Sequence, residues 1–234
     1  MEIEGQLNPE ERRLLTEAIL TAPNVVKVLE IGTWLGGGST VQILRALQQK
    51  GRGHLWGVEA DASIYRHMID NLRAAVPEAI ARFTPLCGRS EKLIPKWLAE
   101  QGEKFEIDLA FLDGGNNPLE QITEFRLIDP HMPLGAILMT HDAKLRKGKW
   151  LVPYVSRLDN WESKLYDVSD EGLFFARKAA LHPSPKSLRS ARSHLRRMRL
   201  APVEIAAAIL PAKICRVIFS LMPDKLTKRL AEGR

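Results

Sequence analysis

Four glycines crowded into seven positions, Gly32, Gly36, Gly37 and Gly38, constrain this chain more than any other feature. They follow Val25 to Ile31, a run rich in β-branched and aliphatic residues. That run is long enough for one buried strand and too short for a helix of ordinary length. After the glycines, Val41, Ile43, Leu44 and Leu47 recur at helical spacing. The order is therefore strand, glycine loop, helix. Such a loop offers free N–H groups and the positive end of a helix dipole at one point, and residues without a Cβ let a ligand come close to the main chain.

The ligand is not expected to be a phosphate. Glu30 closes the strand two residues before the first glycine, where a carboxylate repels a pyrophosphate and can pair with an ammonium. The dinucleotide pattern G-x-G-x-x-G also fails, because Trp34 stands where its second glycine should fall. No Gly-Lys-Ser/Thr ending of a P-loop is present at this loop.

Glu30-Ile31-Gly32-Thr33-Trp34-Leu35-Gly36 resembles the E/D-x-G-x-x-x-G first motif of class I S-adenosylmethionine-dependent methyltransferases. The resemblance implies an α/β fold: a Rossmann-like, doubly wound, seven-stranded sheet with an antiparallel last strand. It implies that the loop wraps the amino-acid end of S-adenosylmethionine, with Glu30, Gly32, Thr33, Trp34, Gly36 and Ser39 as cofactor-binding residues. A glycine turn in some other α/β protein is the plain alternative.

The following segments can be placed on that frame. Asn8-Pro9-Glu10-Glu11 is a helix start, with the cap, the proline and the acids in their favoured places. This helix is expected to cover a sheet edge or the cofactor mouth. His54 to Glu59 reads as a second strand, and Glu59, 27 residues after Gly32, would lie beside the glycine loop if the strands are parallel. Asp61 is the competing acid and a candidate helix cap. The resemblance gives Glu59 the ribose hydroxyls. Ala81 to Leu86 is a third strand, and Cys87-Gly88-Arg89-Ser90 is the turn that, by resemblance, lies over adenine, with Gly88 and Ser90 in contact. Ser90 is equally a candidate N-cap.

Phe105 to Leu112 is an apolar run that delivers Asp113 to its carboxyl end, before Gly114-Gly115 and the cap Asn117-Pro118. Leu134 to Thr140 does the same for His141-Asp142. Ligands of open parallel sheets sit at the carboxyl ends of strands, near the reversal of strand order. FLDGG followed by MPLGAILMTHD is similar to the corresponding motifs of small-molecule O-methyltransferases, in the branch with macrocin-type and cephalosporin-hydroxylase-like proteins. By that likeness Asp113 contacts cofactor and, with Asp142, is catalytic and holds a divalent metal. His141 is a third metal ligand or the general base. Magnesium suits such oxygen ligands. Asn116 departs from the histidine common in DGxH, which weakens the assignment of base and metal.

Trp161 to Val168 and Gly172 to Lys178 read as a closing antiparallel hairpin. Before them, Lys144, Arg146, Lys147 and Lys149 form a basic loop, read as a solvated run or as a site for an anionic substrate group.

Charge divides the chain. Of the 34 Lys+Arg and 28 Asp+Glu, residues 182–234 hold 12 and 3, a net of +9, which leaves 22 and 25, a net of −3, for residues 1–181. The expected organisation is a methyltransferase domain over 1–181 and a basic, amphipathic helical tail over 182–234. The tail either packs on the domain or on a second subunit, or lies on an anionic membrane surface near a lipid-linked substrate. The acidic main part opposes a nucleic acid partner. Two distant cysteines, Cys87 and Cys215, and a polar opening MEIEGQLNPEERR fit a cytoplasmic setting without a secretory signal. The expected activity is methyl transfer to a hydroxyl of a small molecule, a sugar or natural-product intermediate. The rival is a cofactor-binding α/β protein with no transferase activity or with altered chemistry.

Overall fold

The computed structural model describes residues 3–115 and 117–200. Helices and strands alternate: α1 (Pro9–Thr21), β1 (Lys27–Ile31), α2 (Ser39–Lys50), β2 (His54–Glu59), α3 (Ala62–Ala75), β3 (Phe83–Cys87), α4 (Ser90–Gln101), β4 (Leu109–Leu112), α5 (Pro118–Ile128), β5 (Ile137–Thr140), α6 (Gly148–Val155), β6 (Trp161–Tyr166), β7 (Leu173–Lys178) and α7 (Pro185–Arg199). The strands form one seven-stranded sheet in the order β3-β2-β1-β4-β5-β7-β6. Strands β1 to β5 are parallel, and β7 runs antiparallel to both β5 and β6. This is the Rossmann-like doubly wound arrangement expected from the sequence, with its antiparallel last strand. The chain winds outward from β1 to β3 and returns to place β4 on the other side of β1, so the strand order reverses between β1 and β4.

Both faces of the sheet are covered, which is why its central strands are apolar without alternation. In β4, Leu109 and Phe111 enter one core with Leu15, Ile19, Leu44, Leu47, Met68 and Leu72 of α1, α2 and α3. Ala110 and Leu112 enter the other, with Ile94, Phe125, Leu151 and Val155 of α4, α5 and α6. Helix starts are set by side-chain caps. Asn8 and Glu11 form a reciprocal capping box on α1, and Asp61 and Asn117 accept main-chain N–H groups at the starts of α3 and α5.

Two local expectations are corrected. Ser90 is not an N-cap: Arg89 holds that position without a side-chain bond, and Ser90 is the first helical residue. The fourth strand begins at Leu109, not near Phe105. Asp108 Oδ2 accepts the N–H groups of Val26 and Lys27, and Phe105 turns aside to pack edge-on against Trp56 and Trp97.

The first tail helix, α7, is part of the packed body. Ala191 and Leu195 are buried in the same core as α6, while most of the other α7 side chains remain at least partly exposed. The rest of the expected tail, residues 201–234, lies outside the described residues, as does Asn116. Among the described residues no helix is long and apolar enough to cross a membrane.

Candidate active site

The carboxyl ends of the parallel strands form a common rim. Ile31 is level with Val58 and Leu112, and Leu112 with Thr140. The residues that follow each strand therefore meet around the reversal point. Main-chain bonds fasten the rim: Gly32 N–H donates to Val58 O, Asp113 N–H to Ile31 O and His141 N–H to Leu112 O. A cleft of about 300 Å³ opens there, lined by Gly32, Trp34, Glu59, Gly88, Ser90, Asp113, Asp142 and Lys147 among others. That is at the small end of the range for small-molecule sites.

The glycine loop has two halves. Gly32, at φ +94°, lies so close to the chain at Asp113 and Gly114 that a Cβ would sit 2.4 Å from the Gly114 nitrogen. This close approach draws the β1 and β4 ends together. Trp34 follows at φ +45°, the left-handed conformation that costs a non-glycine residue about 1 kcal/mol or more. The Trp34 N–H donates to Glu59 Oε2 at 2.9 Å, while Glu59 Oε1 accepts from Asp61 N–H at 2.9 Å. Beyond Trp34 the loop is covered by protein: Gly37 packs against the main chain of Ile3 and Glu4, and Gln6 of the same segment reaches the cleft wall. Gly32 and Trp34 stay open to the cleft.

The expected cofactor residues divide accordingly. Gly32, Trp34, Glu59, Gly88, Ser90 and Asp113 line the cleft, whereas Glu30, Thr33, Gly36 and Ser39 do not. Glu30 is fully buried beneath the loop, and its Oε1 accepts a short hydrogen bond from Ser39 Oγ. Burial, only partly countered by Ser39 and Thr40, pushes its carboxyl up to about 8. In this state Glu30 fastens the start of α2 instead of presenting a carboxylate to a ligand.

The other end of the cleft holds a charge cluster. His141 is buried, with Nδ1 3.2 Å from Asp142 Oδ1 and 3.4 Å from Asp113 Oδ1, and Nε2 3.4 Å from Glu11 Oε2. None of these is a well-aligned hydrogen bond; they are ion-pair contacts. Burial would lower the imidazole, but contacts with Asp113 and Glu11 and the charge of Asp142 outweigh it and hold it up at about 10. A protonated ring has no lone pair to receive a proton, which argues against the general-base role expected for His141. Asp142, at φ +55°, turns back over the strand end. Between the carboxylates stands the ammonium of Lys147, 2.6 Å from Asp113 Oδ1 and 2.7 Å from Asp142 Oδ2. It also donates to the Asp113 carbonyl at 3.1 Å. The Lys147 side chain is almost wholly buried, so this member of the basic loop is not a solvated charge. The three expected metal ligands, Asp113, His141 and Asp142, do come together, with ligand atoms within 4.8 Å of one another.

A family model described as a methyltransferase domain matches residues 29–143, from β1 to the residue after Asp142. Over these residues the chain is similar to that methyltransferase domain family. Solved structures agree on the fold. The O-methyltransferase TomG from Streptomyces achromogenes, involved in tomaymycin synthesis and solved with SAM, is 16% identical, with a TM-score of 0.61 over 75% of this chain and 82% of that one. The O-methyltransferase from Bacillus cereus, solved with SAH, is 16% identical, with a TM-score of 0.60 over 74% of this chain and 82% of that one. No curated protein sequence matches the chain.

Two residues of the candidate site escaped the sequence reading, and a third was read only as one of the basic loop. Glu124 of α5 lines the cleft, accepts from Ser90 Oγ at 2.5 Å and is pushed up to about 7 by burial. Glu11 of α1, joined to His141, also accepts from Ser169 Oγ at 2.7 Å and so ties α1 to the β6–β7 turn. The third is Lys147. The two acids had a usable signal, since each stands on the apolar face of its helix: Glu11 one turn before Leu15, and Glu124 one turn before Ile128. An acid at such a position is rarely buried without a partner.

Proposed function

We propose that the chain transfers a methyl group from S-adenosylmethionine to a hydroxyl of a small molecule, a sugar or natural-product intermediate. The observation that carries this is the meeting of Gly32, Trp34, Glu59, Asp113 and Asp142 around one cleft at the strand-order reversal. The solved neighbours described as O-methyltransferases, one with SAM and one with SAH, support the acceptor atom and the cofactor.

The residues present fit the cofactor. Glu59 accepts one main-chain N–H on each oxygen, and a carboxylate has lone-pair capacity left for ribose hydroxyls. Gly88, where a Cβ would meet only the Leu93 side chain at 3.9 Å, and Ser90 form the floor for adenine. The main chain at Gly32 and Trp34 meets the amino-acid end. S-adenosylmethionine, when bound, supplies a methyl already activated on a positive sulfur. The chain then needs to hold an acceptor oxygen in line and to take its proton. Asp113 and Asp142 reach the cleft, and His141 does not. We therefore assign proton acceptance to the aspartate pair, with His141 and Glu11 as the buried charges that position it. Asp113 or Asp142 would take the proton of an acceptor hydroxyl held in line, and the bound cofactor would supply the methyl group to its oxygen. Alignment provides much of the rate and the base a further share.

A divalent metal at Asp113, His141 and Asp142 does not fit the donor set as it stands, because Lys147 already neutralises both carboxylates. No step is assigned to a metal. The cytoplasmic setting is proposed on the support of Cys87, an exposed free thiol.

Calorimetric titration with S-adenosylmethionine, followed by mass spectrometry of a panel of hydroxylated acceptors, tests the reading. One cofactor per chain and an acceptor heavier by one methylene are expected. Absence of cofactor binding removes the proposal, and cofactor binding without transfer to any hydroxyl leaves the non-transferase rival in its place.

A further inference from the structure

The cation of this site belongs to the polypeptide. We propose that the ammonium of Lys147 occupies the position between Asp113 and Asp142 that a divalent ion would take, so that methyl transfer by this chain is metal-independent. The assignment deepens the methyl-transfer reading and rests on it for the role of the cation, but not for the ion chemistry.

Geometry supports it first. A carboxylate oxygen from each strand end lies within 2.7 Å of one nitrogen, and the Asp113 carbonyl is a third acceptor at 3.1 Å. An ammonium has three donors, and three acceptors surround it. An ion coming between Asp113 and Asp142 would have to expel the nitrogen from contacts that are already short.

The placement of Lys147 in the fold points the same way. It is the N-cap residue of α6, where no side chain caps the helix. A positive charge there opposes the helix dipole, and its side chain is 7% exposed. A lysine is almost never buried without a partner. The helix does not explain this position, whereas the two carboxylates do. The loop leading to it is fixed from outside: Ala143 N–H donates to Gly172 O and Lys144 N–H to Glu171 O, which bind residues 143–144 to the β6–β7 turn. Lys144 is itself engaged with Asp167 and with the carbonyl of Ser169. The loop thus delivers one lysine inward while another anchors it.

The charges are also consistent. Lys147 brings one positive charge to the two carboxylates it bridges, Asp113 and Asp142, with Glu11 a third acid beside His141 in the same cluster. A divalent ion in place of the ammonium would add one positive charge to the cluster and so weaken its attraction for the positive sulfur.

The test reads ion binding directly, with Mn2+ as the probe and electron paramagnetic resonance on the full chain. Wild type is expected to leave the free Mn2+ signal unchanged. Lys147→Met, which keeps the stem and removes the charge, should bind one Mn2+ at least about tenfold more tightly than wild type. That gain should vanish in Lys147→Met/Asp142→Asn. Lys147→Ala is the second variant should the methionine not fold. Transfer activity of wild type should survive chelator. Mn2+ bound by wild type and lost in Asp113→Asn or Asp142→Asn would overturn the proposal. So would a folded Lys147→Met that gains no ion, or activity abolished by chelator and restored by Mg2+. Failure of cofactor binding would instead sink the transferase reading and leave the Mn2+ result standing.

Discussion

Glu30→Gln turns the burial of an acid into a measurable pH dependence. Glu30 is fully buried, and its carboxyl is raised from 4.5 to about 8, first by desolvation and only partly offset by Ser39 and Thr40. A raised value means that the folded state prefers the protonated form. The stability this provides is complete below about 4.5 and is lost as pH rises through about 8. At about 1.36 kcal/mol per unit, the full difference is about 5 kcal/mol, a large share of the 5–15 kcal/mol typical of a whole domain. Glutamine is neutral at every pH. Its carbonyl can keep the bond from Ser39 Oγ, and its amide can donate to the buried Thr40 Oγ1. Urea unfolding of both proteins between pH 5 and pH 9 isolates the Glu30 contribution, since all other titrations are shared. The two should be within about 1 kcal/mol of each other at pH 5, and the variant should pull ahead by several kcal/mol by pH 9. A difference that stays constant over that span would refute the argument that Glu30 is held protonated beneath the loop.

Other perturbations separate the parts of the site. Asp113→Asn and Asp142→Asn should each lower transfer by about 10²-fold or more while calorimetry still finds cofactor bound; unchanged turnover would remove the aspartate pair as proton acceptor. Glu59→Gln should weaken S-adenosylmethionine by about tenfold, because an acceptor for ribose becomes partly a donor; equal affinity would move the ribose contact elsewhere. Leu195→Ala should cost about 2–3 kcal/mol in urea unfolding, since Leu195 is 3% exposed in the α6 core. No loss there would mean that α7 does not hold to the domain in solution.

The fold was legible because each strand carries its own label. β1, β2, β4 and β5 are short apolar runs that end at or just before an acid or a glycine turn, and the helices between them open with Asn8, Asp61 and Asn117, all of which do cap. Parallel pairing then brings those strand ends level without further information. The errors are local. Phe105 belongs by composition to a strand, but packing against Trp56 and Trp97 removes it, and the Asp108 carboxylate replaces ladder bonds at the start of β1.

The site was legible only as far as strand ends determine it. Glu59, Asp113 and Asp142 are where consecutive parallel strands must leave them. Glu30 shares that sequence logic but points beneath the loop, because Gly32 turns the chain toward Gly114 and leaves the preceding side chain under α2. Lys147 had no such marker. Among Lys144, Arg146, Lys147 and Lys149, nothing in the sequence distinguishes the lysine that turns inward, since the direction is set by bonds from residues 143 and 144 to a turn almost thirty residues later. The same holds for Glu11, whose partner His141 lies 130 positions along the chain. Strand-end chemistry is written locally, whereas the charges that tune it come from distant elements. That is why an acidic rim read from sequence suggests a metal, while the folded chain places its own ammonium between the acids.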